Sequence, residues 1–293
     1  DVKRCPRTSL NGTVWIWFGG KPTMSQRFLL ILMALLFTSG PIISQASHHE
    51  DLSQEVSHHY AHNKDVKIHY VKAGRGPLVV MDHGFPDYWY SWRHQMNGLK
   101  KDFTVVAMDQ RGYNRSDQPG GVESYAMHNL VSDVIAVIRD TGATRATVVG
   151  HDWGGAVAWQ VAFNAPEVVQ NLVILNLPHP NGMARELASN PEQQRNSAYA
   201  RRFIEGSAED PDVMFGGPMN PQTLARWVQD PAAKVLYEAA FARSSFNGML
   251  NFYKANYPRA GQPSPVATSE PLPKLAMPVL IFHGLQDTAL HSD

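Results

Sequence analysis

The sequence predicts an α/β protein: a mostly parallel sheet with helices on both faces, interrupted by an inserted helical cap. Three observations predict it. Short apolar runs such as Leu78-Val79-Val80-Met81 and Leu172-Val173-Ile174-Leu175 alternate with helix-periodic stretches between residues 64 and 177. From residue 178 to 272 the strand rhythm stops, proline is frequent, and helical stretches carry aromatic faces. It resumes at Pro278-Val279-Leu280-Ile281-Phe282, as expected when the chain returns to the sheet.

Taken in order, Val66 to Val71 alternates as a first strand and Gly74-Arg75-Gly76 closes it. Leu78 to Met81 is a buried strand that ends at Asp82-His83-Gly84-Phe85-Pro86. A helix over Tyr88–Lys101 follows, then a second buried strand, Phe103 to Met108, ending in the turn Asp109-Gln110-Arg111-Gly112. Met127, Leu130, Val131, Val134, Ile135 and Ile138 fall on one helical face, and Gly142 stops that helix. Thr147-Val148-Val149 is a strand and Ala156 to Phe163 a helix; between them stands Gly150-His151-Asp152-Trp153-Gly154-Gly155. Small residues flank this turn because it brings strand and helix backbones close together. In the cap, helices are expected over Gln193–Glu205, Gln222–Val228 and Ala232–Tyr253.

The segments outside this core read differently. Residues 1–23 have no matching role and read as an upstream, non-native extension. Met24-Ser25-Gln26-Arg27, the apolar run Phe28 to Phe37 and the small residues Ser44 and Ala46 read as a secretory signal over 24–46. Cleavage there would give a secreted or periplasmic protein without stable membrane association; an uncleaved anchor is the alternative. Residues 47–63, with His48, His49, His58, His59 and His62, read as a polar linker rather than a metal site, since no cysteine or well-spaced carboxylate accompanies them. The sheet resumes over residues 273–293 and should continue with another helix and strand, so the C-terminus reads as truncated.

Composition narrows the function. A chain of 293 residues can bury a full core plus an insertion. Lys and Arg number 26 against 26 Asp and Glu, so no charge imbalance points to nucleic acid. The single cysteine, Cys5, lies outside the core, which removes disulfide and cysteine chemistry. If strand ends gather on one sheet edge, the turns at His83–Pro86, Asp109–Gly112 and Asp152 converge on one pocket.

The turn at Asp152 has the form of a nucleophile elbow with a carboxylate where serine is usual. As a bare pattern it could also be a helix N-cap. Four segments together resemble the α/β-hydrolase fold, and within it the epoxide hydrolases: His83-Gly84-Phe85-Pro86, the elbow, Gly284-Leu285-Gln286-Asp287, and Leu250-Asn251-Phe252-Tyr253-Lys254. The elbow alone is shared with haloalkane dehalogenases.

The resemblance implies Asp152 as nucleophile. A carboxylate attacking a saturated carbon forms an ester that water can cleave, whereas serine would leave an ether. It further implies the N–H groups of Phe85 and Trp153 as an oxyanion hole, Pro86 after a cis bond, and His83 as loop support. Tyr253 and Tyr199 are implied as proton donors to the epoxide oxygen; Tyr237 and Tyr257 are less well placed. Asp287 is implied as the acid that orients a histidine. That histidine should follow some tens of residues later, past the last residue given, and His291 is too close to serve. The catalytic His is therefore expected to be absent from this chain. Cap aromatics Phe203, Phe215, Trp227, Phe241, Phe246 and Phe252 point to a small apolar epoxide, with no cofactor and no metal needed. Haloalkane dehalogenase and a non-catalytic or inactive fragment remain the alternatives.

Overall fold

A computed structural model of the chain describes residues 14–17, 52–258 and 272–290. Among the described residues, eight strands form one sheet: β1 (Val14–Trp17), β2 (Ser57–Asn63), β3 (Val66–Ala73), β4 (Leu78–Asp82), β5 (Thr104–Met108), β6 (Ala146–His151), β7 (Val169–Leu175) and β8 (Val279–Phe282). Their order is β1-β8-β7-β6-β4-β5-β3-β2. The pairs from β5 through β4, β6 and β7 to β8 are parallel. The β3 pairings with β5 and β2, and the β1 pairing with β8, are antiparallel. The chain leaves β4 for β5 on one side and β6 on the other, which makes β4 the point where strand order reverses. A crevice opens at such a point at the carboxyl ends of the strands.

Burial explains why these runs are strands. All five residues of β4 are buried, as are five of six in β6, since helices cover both faces. On one face lies α1 (Arg93–Leu99), preceded by a short 3₁₀ turn at Trp89–Trp92. Helix α2 (Met127–Asp140) buries Leu130, Val131, Val134, Val137 and Ile138 along one stripe. Helix α3 (Trp153–Asn164) is apolar nearly all round and buries Val157, Ala158, Trp159, Val161 and Ala162. The buried Arg111 guanidinium grips Asp133 of α2 through two bonds of 2.6 and 2.7 Å. This fixes the turn after β5.

The cap comprises α4 (Pro180–Ser189), α5 (Pro191–Asn196), α6 (Ala198–Glu205), α7 (Pro221–Leu224), α8 (Pro231–Phe241) and α9 (Phe246–Asn256). Two long helices expected from the sequence are each broken. Ser197 separates α5 from α6. Residues 242–245 separate α8 from α9, where Ser245 caps α9 by accepting from the Gly248 N–H.

Two expectations for the N-terminal side are corrected. Residues 57–63 are not linker but the edge strand β2, joined to β3 by the two-residue turn Lys64-Asp65. His58 Nδ1 lies 2.8 Å from His69 Nε2, and His69 Nδ1 lies 2.6 Å from buried Asp109. The polar composition misleads because an edge strand buries little; only Ala61 of β2 is buried. Within the expected upstream extension, residues 14–17 have a structural place, as the edge strand beside β8. The expected signal at 24–46 lies outside the described residues, as do Cys5, His48, His49 and His291.

Candidate active site

The elbow is held open by missing side chains. Asp152 sits between β6 and α3 at φ 52°, ψ −122°, a backbone state that L-residues seldom adopt. A Cβ on Gly150 would lie 2.2 Å from the Gly154 carbonyl oxygen, and one on Gly154 would lie 2.3 Å from that of Asp82. Strand, turn and helix thus touch backbone to backbone. Across the crevice, a Cβ on Gly84 would meet the Asp152 Cβ at 2.4 Å, so the loop after β4 rests directly on the carboxylate.

That loop aims a donor. The Phe85-Pro86 bond is cis, and the Phe85 N–H donates to Asp152 Oδ1 at 2.8 Å. The Trp153 N–H, at the start of α3, lies against the same carboxylate. Burial pushes the Asp152 carboxyl above the usual carboxylate range and nearby Asp287 pushes it further. His151 and the two N–H groups pull it back. His83 is fully buried: its Nδ1 donates to the Gly84 carbonyl at 2.8 Å and its Nε2 accepts from the Gln110 N–H at 3.1 Å. Burial lowers its pKa to about 4, so the ring is neutral and ties two loops together.

The cap closes over the carboxylate with phenols. A pocket is lined by Asp152, Trp153, Tyr199, Tyr253 and Tyr257, with Leu177, Pro178, Met183 and Leu290 among its apolar walls. The Tyr253 ring stands edge-on to Trp153 at 5.0 Å and to Tyr199 at 6.2 Å. Burial and the Asp152 charge hold both Tyr199 and Tyr253 far above the ordinary phenol range, with the Tyr199 phenol also acting on Tyr253. Both therefore keep their protons at neutral pH. Asp287, in the turn after β8, accepts from Asn176 Nδ2 at 2.7 Å and from the N–H groups of Ala289 and Leu290 at 2.8 and 2.9 Å. Among the described residues, no histidine bonds to it.

Asp152, Trp153, Tyr199 and Tyr253 line one pocket, the Phe85 N–H reaches Asp152, and the Asp287 charge acts on the same carboxyl. Tyr257 joins them, although its sequence context gave it a lesser place. It stands four residues after Tyr253 and so follows it by one helical turn, a spacing that could have flagged it. Tyr237 lies elsewhere, against Asp87. The cap aromatics that point to an apolar substrate lie outside the pocket lining. Phe203 packs on Phe85 at 5.2 Å, Phe252 supports Trp153 at 5.9 Å, Phe241 is buried, and Phe215 and Trp227 are exposed.

A family model described as alpha/beta hydrolase fold matches residues 77–292. Among solved structures, a Bacillus megaterium epoxide hydrolase in complex with an inhibitor superposes with TM-score 0.70 at 34% identity, covering 80% of this chain and 85% of that one. Among curated proteins, epoxide hydrolase 4 of Mus musculus is 41% identical over 147 residues, 49% of this chain and 41% of that protein. Epoxide hydrolase 1 of Caenorhabditis elegans is 32% identical over 246 residues, 79% of this chain and 59% of that protein. The chain spans about half the length of the curated relatives it matches.

Proposed function

The chain belongs to the epoxide hydrolase family of the α/β-hydrolase fold, and from that premise we propose that it opens a small apolar epoxide to a vicinal diol through an ester on Asp152. The observation that carries this reading is the meeting of one carboxylate, held by the Phe85 N–H, with two protonated phenols across a mostly apolar pocket. Asp152 attacks one epoxide carbon and the C–O bond breaks. The oxygen leaves as an alkoxide that takes a proton from Tyr253 or Tyr199. A tyrosine in water ionises near pH 10, so the buried phenols give up a proton only as the alkoxide develops.

Release of the diol requires water to attack the ester carbonyl. The developing oxyanion would be held by the Phe85 and Trp153 N–H groups, each such donor contributing about 3 kcal/mol. Asp287 would orient a histidine that activates this water. Among the described residues no histidine bonds to Asp287, and the first half-reaction is the one that their geometry supports.

The test is intact-protein mass measurement after exposure to styrene oxide, with diol assayed in parallel. An adduct of one styrene oxide mass, absent in Asp152→Asn, supports the reading. No adduct and no diol with a panel of apolar epoxides would sink it. Halide release from chloroalkanes instead would move the chain to the haloalkane dehalogenases.

A further inference from the structure

Asp87 stands two residues beyond the oxyanion donor Phe85 and outside the pocket. Its Oδ1 accepts two bonds, from the Tyr88 N–H at 2.9 Å and from the Tyr237 hydroxyl of α8 at 2.8 Å. Tyr237 is 2% exposed and its ring is wedged edge-on against Tyr88 at 4.9 Å and Trp227 at 5.2 Å. The hydroxyl therefore cannot swing away without unpacking the cap. The loop's other hydrogen-bond anchors belong to the core, while the Phe85 ring also packs on Phe203 and Tyr253 of the cap. The Trp89 N–H donates to Asp109 Oδ1 at 3.0 Å, and the His83 Nε2 accepts from Gln110.

We propose that Asp87 is a positioning residue through which cap helix α8 holds the Phe85 N–H on the Asp152 carboxylate. The proposal rests on the reading of Asp152 as nucleophile. Its physical basis is the shortness of the lever. Only Pro86, with its fixed φ, separates Phe85 from Asp87, so the segment has few soft torsions to absorb a shift. A hydrogen bond of 2.8 Å weakens steeply once its donor tilts or withdraws. A cap that loosens at Tyr237 would thus release the Phe85 N–H as well as open the pocket. The active geometry would then exist only with the cap closed, and an epoxide-derived ester would be held in an oxyanion hole that forms with closure.

The test separates the hydroxyl bond from the packing around it. Tyr237→Phe removes the donor and keeps the ring, Asp87→Ala removes the acceptor, and Asp87→Asn keeps a carbonyl acceptor at the same place. Hydrogen exchange of the Phe85 amide needs no substrate. It should quicken about tenfold in Tyr237→Phe and Asp87→Ala and stay within about threefold of the parent in Asp87→Asn. The rate of Asp152 adduct formation with styrene oxide should fall in parallel, about tenfold at saturating epoxide, with half-saturation little changed. Unchanged Phe85 exchange in both Tyr237→Phe and Asp87→Ala overturns the proposal, even if thermal stability drops. If the parent forms no adduct with any epoxide, the nucleophile reading fails on its own, while the exchange measurement still decides whether α8 holds Phe85.

Discussion

The two sides of the pocket are built on different principles. The sheet side, comprising the elbow and the loop after β4, places its groups by backbone contact. Three glycines there have no room for a Cβ, each meeting a neighbour within 2.4 Å. The cap side places its groups by side-chain packing on short helices, where Tyr253 is held by the rings of Phe85, Trp153 and Phe203 at 5.0–5.5 Å. A sheet-side position should thus fail on a single added methyl. A cap-side position should tolerate shape changes and fail on the loss of one hydroxyl.

Substitutions can break or sharpen this contrast, and the largest effect is expected on the sheet side. Gly154→Ala would drive a methyl into the backbone oxygens of Asp82 and His83. Neither can move without disturbing β4, so a loss of several kcal/mol, measured by chemical unfolding, is expected. A stable Gly154→Ala protein would refute the backbone-contact account. Next, Tyr253→Phe should slow Asp152 adduct formation about a hundredfold with stability changed by less than about 1 kcal/mol. Equal loss of stability and rate would erase the distinction between the two sides. Tyr199→Phe should cost less, about tenfold, because Tyr253 remains as a donor.

The pH dependence of folding offers a finer probe of the sheet side. Asp82, 1% exposed at the end of β4, has its carboxyl pushed up to about 7, first by burial and then by Asp133, against the bond from Gln110. In the unfolded chain it ionises near its ordinary 3.8. Between those values the folded state holds the extra proton, so stability falls as pH rises from about 4 to 7 and levels above. The slope from this group is at most about 1.4 kcal/mol per pH unit. Asp82→Asn should flatten that fall in urea titrations at pH 5 and 7. The smallest effect is expected from Phe203→Leu on the cap side, where exchange of one ring for another apolar group should cost about 1–2 kcal/mol and little rate.

The same contrast explains what could be read from sequence. The sheet side was legible because its constraints are local. Val148-Val149-Gly150 and Gly154-Gly155 announce a tight turn by residue type alone, and an all-apolar run such as Leu78 to Met81 reads as a covered strand. The cap was legible only in outline. The break at Ser197 and the one before Ser245 interrupt otherwise continuous helical patterns, and Pro180 is the residue that marks the start of α4. Which aromatics face the pocket depends on how the short helices pack, so residue type alone does not separate exposed Phe215 and Trp227 from pocket-lining Tyr257. Edge strand β2 escaped for a third reason: with one buried residue in seven, it has almost no apolar pattern to show.

The strained backbone at Asp152 separates the place of the reactive group from its identity. Its φ of 52° is imposed by glycines before and after it and by the contact with Gly84, not by the aspartate itself. The frame therefore dictates where a reactive group stands without dictating which group it is. Exchanging that one side chain would change the chemistry offered at this point, whereas a side chain added at Gly84, Gly150 or Gly154 would dislodge the turn itself.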